Sequence, residues 1–179
     1  MEPCRLVKPD LSFEKEILAY REETVAAGVA LNGMGALRSG ADVPVWLEQN
    51  RLMEKRETTP EGLVPADQYL YVRVADGRVV GMIQLRRELN EDLLNYGGNI
   101  GYSVRPSEWR KGYAKAMLAD CLAICRDRGI PRVLITCRTD NVASRRTILA
   151  NGGVYEDTRF CAEKNQPMER YWVTLSSAG

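Results

Sequence analysis

Short apolar runs bounded by Gly and Pro divide the chain into predicted strands. The pair Asp76-Gly77 predicts a tight hairpin, because Asp-Gly is a preferred pair for two-residue turns. Strands joined by so short a turn are antiparallel. The predicted strands are 5–8, 69–74, 79–85, 99–104, 133–135, 154–160 and 169–175.

Four further segments are predicted to be helices, two of them because apolar residues recur at helical spacing. The clearest of these begins at Gly112, where small and apolar residues follow the i, i+3, i+4, i+7 rule. A glycine-rich stretch at 28–42 predicts a loop. The predicted helices are 13–24, capped by Asp10 or Ser12; 45–56; 112–128, ended by Gly129 and Pro131; and a helix capped by Asp140 and closed by 151–153.

The order β-α-α-β-β-β-α-β-α-β-β predicts an α/β (α+β) fold in one domain, residues 1–179. The sheet is expected to be mixed, mostly antiparallel and six- to seven-stranded, with about four helices on both faces. The strand–helix–strand unit over 99–137 predicts one parallel, right-handed crossover.

Charge and hydropathy exclude several classes of protein. The chain has 25 basic and 24 acidic residues, so it lacks the basic excess of a nucleic-acid-binding protein. No stretch approaches the ~20 apolar residues of a membrane span. The first residues lack the apolar core of a secretory signal, so the sequence predicts a cytoplasmic protein that binds neither membrane nor nucleic acid.

The chain contains no histidine and five cysteines. Without imidazole there is no Ser-His or Cys-His nucleophile and no usual metal ligand set, so we expect no metal. Cys121 and Cys125 lie four residues apart on an apolar helix face, which predicts packing rather than reactivity. Acid–base chemistry must therefore use carboxylates, tyrosines, lysines, cysteines or water.

One segment combines basic charge with a helix start. Residues Arg110, Lys111, Gly112, Tyr113 and Ala114 join the predicted strand 99–104 to the third helix. The first turn of a helix offers unpaired N–H groups and the positive end of the dipole, and the small residues let a ligand approach. The segment predicts a phosphate or diphosphate site. An ordinary helix start with a basic turn is the alternative.

This segment and its surroundings resemble the acetyl-CoA motif of the GNAT superfamily of N-acetyltransferases. The resemblance is carried by residues 99–106, 110–114, 132–136, 141–144 and 151–153. It implies a GNAT-like fold, acetyl-CoA as cosubstrate, and transfer of the acetyl group to an amine by direct attack, without a covalent enzyme intermediate. The near-neutral charge favours a small-molecule amine as acceptor, and the resemblance favours a homodimer.

The resemblance also implies roles for individual residues. The strand would part from its parallel neighbour, and the pantetheine arm would pair with main-chain groups of Tyr102, Ser103 and Val104. The pyrophosphate would bind the N–H groups from Arg110 to Ala114. Asn141, at the start of the next helix, would reach the pantetheine or the acetyl end.

Two positions depart from the family pattern. Trp109 stands where the family usually has Arg or Gln, so Arg110 would supply the charge or the tryptophan would pack. Ile148 stands where many members have a tyrosine that protonates the leaving thiolate. Tyr102, Tyr155, Tyr171 or solvent would then supply that proton, and aromatic residues of this kind are more often core or pocket wall.

A protonated amine must lose a proton before it attacks, and a carboxylate is the usual base. Glu88, Glu91 and Asp92 precede the binding strand and are the candidates, with a solvated loop as the alternative. Asn99 on the strand is a candidate to orient a water, whereas Glu108 is expected at the phosphate end. Asn141, Tyr102 and Glu88 are the predicted catalytic residues.

Two other functions fit the same sequence. An acyl-CoA-binding sensor without turnover would share the binding motif, and a protein-interaction domain would not bind coenzyme A at all. The loop at 28–42 is expected to form one wall of the acceptor pocket, with a flexible surface loop as the alternative.

Overall fold

Seven strands and four α-helices follow one another in the predicted order in the computed structural model, which describes residues 1–175. The strands are β1 Cys4–Val7, β2 Ala66–Arg73, β3 Val79–Arg86, β4 Ile100–Val104, β5 Arg132–Arg138, β6 Val154–Cys161 and β7 Gln166–Thr174. The helices are α1 Glu14–Ala26, α2 Val43–Met53, α3 Tyr113–Asp127 and α4 Val142–Leu149.

The strands form two sheets that meet at one point. The first has the order β1-β2-β3-β4 and the second β5-β7-β6, and every ladder within residues 1–175 is antiparallel. The predicted parallel neighbours β4 and β5 form no ladder. Instead, the Asn99 N–H donates to the Leu134 carbonyl at 2.7 Å. The predicted α/β fold with seven mostly antiparallel strands is therefore confirmed, and its sheet is divided between β4 and β5.

Helices cover both faces of the first sheet. The apolar side of α3 buries Met117 and Cys121 against Ile83 of β3. On the opposite face, Tyr20 of α1 and Trp46 of α2 pack with residues of β2 and β3. Cys121 and Cys125 are both fully buried, which confirms that they pack.

Several predicted boundaries were wrong. Asp10 caps only a 3₁₀ turn, Leu11–Phe13, that precedes α1. Asp140 does not cap α4: it pairs with Arg138, and Asn141 Oδ1 accepts the capping bond from the Ser144 N–H at 3.1 Å.

Two stretches predicted as irregular contain short helical turns. Residues 28–42 include a 3₁₀ turn, Gly35–Ser39, that buries Leu37. The polar stretch before β4 contains a π-helical turn, Leu93–Gly97.

Two further features concern only residues 1–175. No helix there is both long enough and apolar enough to cross a bilayer. No three side chains of His, Cys, Asp or Glu in that range come together in a way that would hold a metal ion.

Candidate active site

The edge of β4 that faces β5 is unpaired, and its main-chain groups can be assigned from two hydrogen bonds. The Arg105 N–H donates to the Val80 carbonyl at 2.9 Å, and the Arg86 N–H donates to the Asn99 carbonyl at 2.7 Å. The β3–β4 register has no shift. Because main-chain groups alternate along an antiparallel pair, the odd-numbered residues of β4 face β3 and the even-numbered residues face the gap toward β5.

Two of the three residues predicted to pair with pantetheine therefore present main-chain groups to the gap. These are Tyr102 and Val104, whereas the main chain of Ser103 points to β3. The Trp109 indole N–H donates to the Val104 carbonyl at 2.8 Å. Trp109 thus packs along the end of β4 with 47% of its surface exposed and occupies the Val104 carbonyl. The main-chain groups of Ile100 and Tyr102 and the Val104 N–H face the gap.

The turn before α3 has the geometry of an anion site. Arg110 and Gly112 both have positive φ, at 62° and 87°, and such alternation turns successive N–H groups toward one concavity. Gly112 is the N-cap and supplies no side-chain cap, and the first turn of α3 contains no acidic residue. The Ala116 N–H makes the first bond to the Gly112 carbonyl, at 3.2 Å. The N–H groups before it suit a diphosphate.

The two basic side chains of this turn, Lys111 and Arg110, have different environments. Lys111 Nζ lies 2.8 Å from an oxygen of Glu108, which is only 3% exposed and also accepts from Arg73 at 3.2 Å. Burial alone would raise the pKa of Glu108, but the Lys111 hydrogen bond and the Arg73 charge outweigh it and lower that pKa. Lys111 therefore holds the turn in place, while the Arg110 side chain is exposed.

Tyr113 and Ala114 contribute main chain rather than side chain to this site. The Tyr113 ring is buried in the core beneath the sheet, and Ala114 is half-buried. Their N–H groups lie in the first turn of α3, where the prediction put the pyrophosphate.

The closed end of the gap is built around Asn99, which is 6% exposed. Its Oδ1 accepts from the Leu134 N–H at 2.8 Å, and its Nδ2 donates to the Arg86 carbonyl at 3.0 Å. The side-chain amide therefore joins the two sheets. It does not orient a water, which is the role that the sequence had suggested for it.

Three tyrosines were candidates for the proton donor. The Tyr102 hydroxyl lies 2.9 Å from Ser144 Oγ of α4, and burial raises the pKa of Tyr102 to about 12. Tyr171 donates to Glu169 at 2.8 Å, and burial together with this carboxylate raises its pKa to about 12. Tyr155 is exposed. Of the three, Tyr102 is the one on the gap-lining strand.

Asn141 and Ile148 occupy α4 and serve its structure. Asn141 uses Oδ1 to cap the helix and is half-buried. Ile148 is fully buried, and a Cβ placed on Gly153 would clash with its Cγ2. The position where many family members carry a tyrosine is therefore a core position here.

The carboxylates proposed as bases do not lie together. Glu88 is exposed and forms an ion pair with Arg56. Glu91 and Asp92 line a polar hollow that also includes Tyr96. The Tyr96 carbonyl accepts from Thr136 at 2.7 Å, so the segment that lines this hollow is tied to β5.

The loop 28–42 lies directly on the other face of β4, which the sequence did not specify. The Ser103 hydroxyl donates to the Asn32 carbonyl at 2.6 Å. Gly33 approaches so closely that a Cβ there would lie 2.5 Å from the Gly101 carbonyl oxygen. Gly101 could have indicated this contact from the sequence, because a glycine inside a strand often marks the close approach of another backbone.

Solved structures share this fold along nearly the whole chain. An acetyltransferase from Salmonella typhimurium that modifies the N-terminal serine of ribosomal protein L7/L12 has a TM-score of 0.70 and 20% identity, covering 97% of this chain and 95% of its own. A ribosomal L7/L12 alpha-N-protein acetyltransferase in complex with coenzyme A scores 0.72 at 19% identity, covering 96% and 94%. The microcin C7 self-immunity acetyltransferase MccE, in complex with acetyl-CoA and AMP, scores 0.70 at 18% identity, covering 96% and 92%.

Sequence comparison defines the family. No curated protein matches the chain significantly. The model of the acetyltransferase (GNAT) family matches residues 38–152, which include β2 to β5, the turn before α3 and all of α4. This confirms the resemblance noted in the sequence, and because the match spans more than half of the 179 residues, the chain belongs to the acetyltransferase (GNAT) family.

Proposed function

We propose that this acetyltransferase moves the acetyl group of acetyl-CoA to a primary amine of a small molecule by direct attack in a ternary complex. The observation that carries the proposal is the unpaired edge of β4 ending at a turn whose N–H groups converge. The turn, Arg110 to Ala114, would bind the pyrophosphate, and the gap-facing main chain of β4 would pair with the pantetheine arm.

The chemistry then needs three proton movements. The protonated amine loses one proton to a base, and its nitrogen attacks the thioester carbonyl carbon to form the C–N bond. As the tetrahedral adduct collapses, the nitrogen loses a second proton, the C–S bond breaks, and the thiolate takes up a proton. The Tyr102 phenol, which stays protonated at neutral pH because its pKa is about 12, is the proposed donor. Among the carboxylates, Glu91 and Asp92 are better candidates for the base than Glu88, which pairs with Arg56. Asn141 would orient the acyl arm.

The acceptor is proposed to be small because the chain is nearly neutral. An N-terminal amine of a protein is the competing acceptor, since two of the similar structures belong to enzymes that modify ribosomal protein L7/L12. A cytoplasmic homodimer is part of the same proposal.

Thermal shift with coenzyme A, followed by thiol release from acetyl-CoA over a panel of amines, tests this function. A ligand that binds only the folded chain raises Tm. Gly112→Glu should abolish that shift because it places a side chain at a φ of 87° in the anion site. Gly129→Glu is the matched control, with a φ of 71° and open space at the other end of α3.

The outcomes separate the alternatives. Equal coenzyme A binding by folded Gly112→Glu and wild type would contradict the proposed site. Tight binding of acetyl-CoA without thiol release for any amine would indicate a sensor, and absence of binding would favour an interaction domain.

A further inference from the structure

Arg86 carries a guanidinium with no carboxylate partner at the closed end of the gap. Its Nη1 donates to the carbonyls of Gly97 and Gly98 at 3.0 and 3.1 Å. Within residues 1–175, no Asp or Glu forms an ion pair with Arg86, and its Nη2 has no hydrogen-bond partner. The two most buried arginines differ in this respect: Arg105 and Arg170 each pair with two carboxylates.

The guanidinium lies on the acceptor side of β4. A Cβ placed on Gly101 would lie 3.2 Å from Arg86 Nη2 and 3.4 Å from the Gly33 nitrogen. Arg86 also pairs in register with Asn99, the residue that joins the two sheets. The guanidinium therefore lies next to the main chain of two glycines, Gly101 of β4 and Gly33 of the loop 28–42. This is the place where the two sheets begin to part.

The charge of Arg86 persists despite its surroundings. Burial lowers the pKa of Arg86 from its usual value, but an arginine guanidinium stays protonated in proteins at neutral pH. Two other charges act on its pKa: Asp92 favours the cation, and Arg38 opposes it. Arg86 is half-buried, and a partly desolvated charge without a counter-ion is unfavourable. The planar fork of arginine matches the two oxygens of a carboxylate.

We propose that Arg86 binds a carboxylate of the acceptor, so that the preferred substrates are amines that also carry a carboxylate, such as amino acids. The inference rests on the proposed acetyl transfer and names its substrate class. The guanidinium would hold the acid group while the amine of the same molecule lies near the thioester.

Acceptor preference can be measured with matched pairs, the common amino acids and their carboxamides, using kcat/KM for thiol release. A charged bidentate contact corresponds to a preference of roughly tenfold to hundredfold for the acid. Arg86→Gln should reduce this preference to near unity with coenzyme A affinity unchanged, and Arg86→Lys should retain part of it. Arg38→Gln, which removes a nearby exposed cation, should leave most of it.

A second readout works without turnover. In the presence of coenzyme A, titration calorimetry with N-acetylated amino acids and their carboxamides should show tighter binding of the acids to wild type. Arg86→Gln should lose that difference. If thiol release fails but this difference is found, the proposed reaction fails while the carboxylate site stands.

Three results would overturn the inference. The first is equal efficiency and equal binding of acids and carboxamides with wild type. The second is a kcat loss in Arg86→Gln of the same size for acids and carboxamides, because Arg86 would then act on the thioester or the fold. The third is a preference for phosphoethanolamine over every amino acid, which would replace the carboxylate with a phosphate.

Discussion

Asn99 and Leu134 are joined by two hydrogen bonds, one from each main-chain N–H: Asn99 N–H to the Leu134 carbonyl at 2.7 Å, and Leu134 N–H to Asn99 Oδ1 at 2.8 Å. The second bond uses a side-chain oxygen where a ladder would use a main-chain carbonyl. The pairing of the two strands therefore stops at this residue, and the edge of β4 beyond it is left unpaired.

Replacing Asn99 with Ala should destabilise the protein by about 1–3 kcal/mol, because the Leu134 N–H and the Arg86 carbonyl lose their partners inside the protein. Affinity for coenzyme A should fall as well, since the two sheets lose their fixed junction. Urea unfolding and calorimetry measure both effects. Gln49→Ala on the exposed side of α2 is the control, and equal stability of the two variants would contradict the assigned role.

Gly33→Ala should disturb the acceptor side of the site without affecting coenzyme A. The new methyl would lie 2.5 Å from the Gly101 carbonyl oxygen and 2.8 Å from the Tyr102 Cα, so the loop 28–42 must move away from β4. We expect a higher KM for the amine and an unchanged Kd for coenzyme A.

Gly28→Ala is the matched control for the loop. Gly28 has a similar φ, 65° against 71° for Gly33, but no atom lies within 4 Å of its added Cβ. Both substitutions place an alanine at a positive φ, but only Gly33→Ala also brings its methyl group into a clash with β4. Equal KM values for the two variants would show that the loop contact does not shape the acceptor pocket.

The main chain and the side chain of Arg110 can be tested separately, because its φ is 62°. Arg110→Gly keeps this conformation and removes the charge, so it should weaken coenzyme A binding several-fold and reduce its salt dependence. Arg110→Val disfavours the conformation itself and should weaken binding more than the glycine variant does.

Asn165→Val controls for the strain in the valine variant. Asn165 is the other non-glycine residue with positive φ in the part of the chain that the structure describes, and it lies between β6 and β7. Asn165→Val should lower Tm without changing the affinity for coenzyme A. If Arg110→Val binds as well as Arg110→Gly, the N–H concavity is not the anion site.

The order of elements could be predicted because it depends on local signals. The apolar face of α3, the Asp76-Gly77 turn and the glycines that end α3 and α4 are all encoded within a few residues of where they act. The start of α3 at Gly112 could be predicted for the same reason, because glycine readily adopts the positive φ that this residue has.

The parts of the site that sequence did not reveal depend on contacts between distant residues. Asn99 was expected to hold a water, but its amide is taken by residues 13 and 35 positions away. Lys111 was counted as phosphate-binding charge, but Glu108, held buried by Arg73 of β2, engages it. No local pattern reports which side chains meet across two sheets.

Asp67 should make stability depend on pH in acid. Burial would raise its pKa, but hydrogen bonds from Arg128 and Lys8 outweigh this and lower the pKa below its usual 3.8. A carboxyl whose pKa is lower in the folded state stabilises the protein above its unfolded pKa and loses that contribution as pH falls through the folded value.

Asp67→Asn should therefore cost about 2 kcal/mol at neutral pH. The difference in unfolding free energy between wild type and variant should shrink below the unfolded pKa of 3.8. Urea unfolding between neutral pH and acid measures it. A difference that stays constant across this range would show that the Asp67 charge does not contribute.

Tyr102 tests whether the chain supplies the proton for the departing thiolate. Tyr102→Phe removes both the phenol and its hydrogen bond to Ser144 Oγ, whereas Ser144→Ala removes the serine hydroxyl and leaves the phenol. If the phenol donates the proton, Tyr102→Phe should lower kcat by roughly a hundredfold or more, the usual contribution of a general acid. Ser144→Ala should then keep most of the activity, because the phenol remains protonated with or without its neighbour. A similar, small loss in both variants would show that the pair only ties β4 to α4, and that solvent protonates the thiolate.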